Sequence, residues 1–153
     1  MRRWIVPGLL AVALLSGCGQ QASRPQLSRP EHVAEEYLIW SYMKGQTNEK
    51  ALSKITTLGD GTVSGALTPG PAWFAQVPNG PQGVLVWIFN APQTTTGPQL
   101  TELTMSRQHG HWYVTKEDNS YELGLPHTSF AGFQKLSIYH RLGVTHWQEV
   151  TLK

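Results

Sequence analysis

The stretch Gly83–Phe89, GVLVWIF, contains no polar side chain, and its reading decides the fold. Seven residues are too few for an ordinary amphipathic helix, and Val84, Val86, Trp87, Ile88 and Phe89 favour strands. An apolar run without alternation suits a central strand covered on both faces. Pro81 and Pro92 bound it. Further along, Thr101–Arg107 and His111–Lys116 flank Gln108-His109-Gly110, where Gly110 can take positive φ, so the pattern predicts a hairpin. Phe133–Leu142 and Val144–Leu152 read as a second hairpin around Gly143, and Thr62–Leu67 as a short β-branched segment. Six prolines from Pro69 to Pro98 read as loop punctuation around the apolar strand.

Before these strands the apolar spacing becomes helical. Ser28-Arg29-Pro30-Glu31 has the form of a capping box, and Pro30 in a first turn has no amide to lose. The spacing of Val33, Tyr37, Trp40 and Met43 predicts a helix over 31–44, with Glu35 and Glu36 turned outward and Gly45 as its stop. Thr47 or Asn48 caps a shorter helix over 49–57. Two helices followed by strands indicate an α+β fold: an N-terminal helix pair packed on a curved, mainly antiparallel sheet of four to six strands. Residues 31–153 form one such domain, and no repeat interrupts it.

The beginning of the chain has a different character. Met1-Arg2-Arg3 is positive, and Trp4–Leu15 is twelve uncharged, mostly apolar residues. That run fits the hydrophobic region of an export signal and falls short of the roughly 20 residues a membrane-crossing helix needs. It ends at Leu15-Ser16-Gly17-Cys18, small residues followed by the sole cysteine of the chain. These four residues resemble the lipobox of bacterial lipoproteins. The resemblance implies cleavage between Gly17 and Cys18, a diacylglyceryl group on Cys18, and a protein held by lipid on the extracytoplasmic side. Residues 18–30 then form a polar tether. Loss of residues 1–17 removes Arg2 and Arg3 and leaves ten basic against ten acidic side chains. A formally neutral chain with no Lys/Arg cluster has no electrostatic basis for binding nucleic acid.

The order of elements, with the Gly-x-Trp-Tyr-Val of Gly110–Val114, resembles the cone-shaped domains of the nuclear-transport-factor-two-like superfamily. The resemblance implies a pocket inside the cone, used in that superfamily by isomerases, dehydratases and small-molecule binders. No catalytic residue carries over, and Glu102 reads as the polar side of its strand.

The chemistry-bearing residues are sparse. His109 and His111 are two residues apart and form a weak metal candidate, because a zinc site needs three or four ligands and no second cysteine exists. Ser64-Gly65 lacks the Gly-x that precedes a nucleophile elbow, and Asp60 and Asp118 read as turn residues. Neither Gly59-Asp60-Gly61 nor Pro78-Asn79-Gly80-Pro81 leads into the Lys-Ser/Thr helix of a phosphate loop. The expectation is therefore no catalytic residue, no cofactor and no metal. Trp40, Trp87, Trp112 and Trp147 read as core, while Trp73-Phe74 between proline turns reads as an exposed contact patch. The reading is of a lipid-anchored envelope domain, non-enzymatic, that meets an envelope protein or a small ligand. The alternatives are a cone-type binder or enzyme and a His-based metal accessory protein.

Overall fold

Both faces of the GVLVWIF strand are covered, which is why it shows no polar alternation. The computed structural model describes residues 29–43, 45–59, 67, 69–91, 98–121, 123 and 129–153. The elements are α1 (Pro30–Tyr42), α2 (Glu49–Leu52), β1 (Gly70–Pro78), β2 (Gly83–Asn90), β3 (Gln99–Gln108), β4 (His111–Tyr121), α3 (Phe130–Phe133), α4 (Ser137–Arg141) and β5 (Gln148–Leu152). The fold is α+β, built on a five-stranded antiparallel sheet in the order β4-β3-β2-β1-β5. β2 is its middle strand.

Alternate residues of β2 serve two separate cores. Val86 and Ile88, with Phe74, Leu103, Met105, Val114 and Leu152, pack beneath Val33, Ala34, Tyr37 and Leu38 of α1. Trp87 and Phe89, with Ala75 and Leu100, pack beneath Phe133 of α3 and Val144. The sheet is thus a central layer, and a one-residue slip of β2 would exchange the contents of the two cores.

α1 begins at Pro30 with Arg29 as its N-cap and no cap bond from the Arg29 side chain; Ser28, expected to open the capping box, lies outside the described residues. It ends at Tyr42, where Met43 turns extended, pairs with Leu67 and is fully buried. The second helix is shorter than expected. Asn48 caps it by accepting from the Ala51 amide at 3.0 Å, but only Glu49–Leu52 is helical. The chain leaves the helix because Ile55–Thr57 bonds to β4 instead: Val114 donates to the Ile55 carbonyl at 2.9 Å and Thr57 donates to that of Val114 at 3.0 Å.

Two expectations are overturned. The Pro-rich stretch after Pro69 contains a strand, β1. Its prolines are tolerated because Pro71 lies before the first residue paired to β2 and Pro78 is the last residue of the strand. The hairpin expected around Gly143 does not form. Phe133 instead ends α3, residues 134–136 turn, and Ser137–Arg141 forms α4, with Phe130, Phe133, Ile138, Tyr139 and Leu142 packed in the second core. Gly143, at φ 66, follows the end of α4, and β5 then crosses to pair with β1.

The β1–β2 connection depends on a missing side chain. Asn79 donates to the Gly83 carbonyl at 2.9 Å. A Cβ on Gly83 would press into the Asn79 carbonyl oxygen, with the Met105 oxygen at 3.3 Å. Both obstacles are backbone and cannot rotate away. Gly83→Ala is expected to cost about 1–3 kcal/mol, the range for overpacking. Urea unfolding of the full chain measures it, and a cost below about 0.5 kcal/mol, typical of a surface change, would contradict the close approach.

Candidate functional site

The most connected polar cluster lies between α1 and β4, and an irregularity of β4 creates it. The β3–β4 register runs Met105↔Val114 and then Thr104↔Lys116, so Thr115 is an extra residue. The bulge rephases the strand. Val114 and Glu117, three residues apart, both face α1, where strict alternation would send them to opposite sides. A second shift between Leu100 and Glu102 returns Tyr121 to the other face, opposite Leu100.

Glu117 therefore enters the α1 side, where three donors meet it. Tyr37 donates its hydroxyl to Oε2, Tyr42 donates to Oε1 at 2.6 Å, and the Asn119 side-chain amide donates to Oε1 at 2.6 Å. The two phenol rings meet edge to face at 6.4 Å. Burial, reinforced by the Glu117 carboxylate, pushes both phenols well above their ordinary value, so each remains a neutral donor. A carboxylate offers about four lone-pair directions, and three are occupied here. The arrangement fastens α1 to the sheet and has little capacity left to shuttle a proton.

Two other acidic groups on the sheet, Glu102 and Asp118, are engaged as well. Glu102 faces the second core half-buried and accepts from the Tyr121 hydroxyl at 2.9 Å. Burial and that carboxylate push Tyr121 up to about 12. Asp118 lies on β4 rather than in a turn. The Ser120 hydroxyl at 2.6 Å and the Ser120 amide at 2.9 Å hold its carboxyl below the ordinary value. Glu36 is not turned outward as expected. Its Oε2 is buried with no partner among the described residues, and burial together with the Glu35 charge pushes it up to about 7.

On the opposite face, aromatic side chains form a continuous layer. Phe89 stacks on Phe133 at 4.5 Å, and Trp73 stacks on Phe130 at 4.7 Å with the rings 3° from parallel. Trp147 meets Phe130, Phe133 and Tyr139 within 6.0 Å. Trp73, Phe130, Tyr139 and Trp147 are only half-buried, so the outer half of the layer meets solvent. The Trp147 indole N–H is buried and has no acceptor among the described residues.

The residues expected to form a site are dispersed. Trp73 and Phe74 point to opposite faces of β1. Phe74 is 2% exposed in the α1-side core, so the two do not form one patch. Of the tryptophans expected in the core, only Trp87 is buried, while Trp40, Trp112 and Trp147 are half-buried. His109 and His111 are exposed on the β3–β4 turn, His109 at φ 50 and Gly110 at φ 82. Among the described residues, no three His, Cys, Asp or Glu side chains gather where they would hold a metal. Gly17, Cys18, Asp60 and Ser64 lie outside the described residues. Sequence reasoning missed Tyr37, Tyr42 and Glu117, because only the bulge brings them together. No family model, curated protein or solved structure matches the chain.

Proposed function

We propose that the chain is a lipid-anchored bacterial envelope protein whose folded domain binds a partner or small ligand on the extracytoplasmic side and catalyses no reaction of its own. The observation that carries this reading is the sequence Leu15-Ser16-Gly17-Cys18 behind an uncharged run and two arginines. Export, cleavage before Cys18 and lipidation of its thiol follow from that resemblance. Among the described residues, no helix is long and apolar enough to cross a membrane; in this reading the attachment is the lipid on Cys18. A single acyl chain holds a protein only marginally, whereas two or three hold it stably.

The non-enzymatic part of the reading draws support from the carboxylates. Glu117, Glu102 and Asp118 each have local partners that fix them in structural roles. The half-buried Trp73, Phe130, Tyr139 and Trp147 offer the kind of aromatic surface that interfaces favour. In the same reading α1 and the capped turn α2 act as a helical pair on a curved sheet, as in the cone-shaped domains. A small-molecule site of that superfamily is a second reading, favoured by the Tyr37, Tyr42 and Glu117 cluster under α1.

Phase partitioning in Triton X-114 tests the anchor. The full chain expressed in a bacterium is expected in the detergent phase, and Cys18→Ala is expected to move to the aqueous phase. A Cys18→Ala protein that stays with the detergent unchanged would remove the basis of the proposal.

A further inference from the structure

The two edges of the sheet are finished in different ways. β4 carries both register shifts, presents Lys116, Glu117 and Asp118, and is met by Ile55–Thr57, with the Thr56 hydroxyl donating to the Val114 carbonyl at 2.8 Å. Bulges, charges and covering segments are the devices that keep a strand edge from pairing. β5 has neither a bulge nor, among the described residues, a covering segment. It pairs with β1 in unbroken register, contains no proline, and carries a single charge, Glu149. Among the described residues, no segment pairs with its outer side.

The register also shows which backbone groups face outward. Pro71 is opposite Thr151 and has no N–H, so this pair cannot exchange two hydrogen bonds. By alternation Gln148, Val150 and Leu152 bond to β1, while Glu149, Thr151 and Lys153 turn their N–H and C=O groups away from it.

We propose that this outer edge pairs with the same edge of a second copy of the chain, antiparallel and centred on Thr151. In that register the outward-facing residues meet one another: Thr151 faces Thr151 of the other copy, and Glu149 faces Lys153 in both directions. Each such pair exchanges two backbone hydrogen bonds. Val150, half-buried against the α1-side core, faces Leu152 of the other copy and continues the apolar row across the junction. Centring the pair on Glu149 would set like charges face to face, which disfavours that register. The sheets of the two copies join into one, and the exposed edge of each disappears.

Sedimentation equilibrium of the full chain in detergent solution tests the proposal, with circular dichroism confirming that each variant is folded. The wild type is expected to be dimeric at micromolar concentration. Glu149→Lys replaces two attractive pairs with two repulsive ones, and the dimer dissociation constant is expected to rise about tenfold or more. Combining Glu149→Lys with Lys153→Glu restores the attraction in the opposite sense and returns the constant to within about threefold of wild type. A monomeric wild type would overturn the proposal. So would a Glu149→Lys dimer of unchanged strength, or a double variant no tighter than the single one. If Glu149→Lys does not fold, Lys153→Glu, which lies just beyond the strand, gives the same reading.

Discussion

Phe133→Ala is expected to lower the unfolding free energy by about 3–5 kcal/mol, the range for deleting a fully buried phenyl ring. The ring is 0% exposed, stacks on Phe89 at 4.5 Å, and meets Tyr139 and Trp147 edge to face at 5.3 and 5.6 Å. It belongs to a helix of only four residues, which has no stability of its own. Packing of this ring is therefore what seats α3 on the sheet. Thermal unfolding of the full chain followed by circular dichroism should show a fall of about 10 °C or more. Phe130→Ala, at a half-buried position in the same helix, should fall by clearly less. Equal and small losses at both positions would mean that the second core does not depend on this helix.

Glu117→Ala is expected to cost about 2–4 kcal/mol, because it leaves the hydroxyls of Tyr37 and Tyr42 without their acceptor at a partly buried interface. Tyr37→Phe combined with Tyr42→Phe should restore part of that loss in the Glu117→Ala background, since no stranded donor remains. The cluster also sets an alkaline limit. Both phenols titrate higher in the folded state than their ordinary 10.0. The unfolded chain therefore releases these protons first. The stability they contribute is complete below about pH 10 and declines as pH rises beyond it. Urea unfolding between pH 8 and pH 11 measures this decline, and the double Phe variant should show a shallower one. Identical slopes would disconnect the tyrosines from the alkaline loss.

How much of this was legible depends on the type of signal. The α+β class and the central strand are readable because helical spacing precedes strand patterns and GVLVWIF expresses burial on both faces in its composition. β1 was obscured by Pro71 and Pro78, which are acceptable at the two places where the ladder makes no demand on them. Residues 133–142 read as strand because short helices and strands draw on the same apolar residues, and only tertiary packing distinguishes them. The polar cluster was invisible for a different reason. Glu117 reaches Tyr37 and Tyr42 through an extra residue at Thr115, and a bulge depends on the partner strand as much as on its own sequence.

The strand order has a consequence in time. β1, β2, β3 and β4 follow one another in the chain, each pairs with the next, and they can assemble as each is made. β5 comes last, yet its place is beside β1, the first strand of the sheet. Until it arrives, one side of β1 is open, with Trp73 on one face and Phe74 on the other lacking their final neighbours. Contacts between segments this far apart in the chain are slow to form, because the intervening loop must close before any bond rewards it. The seam between β1 and β5 therefore sets when folding finishes, and a chain halted before Gln148 presents a waiting strand edge to its surroundings.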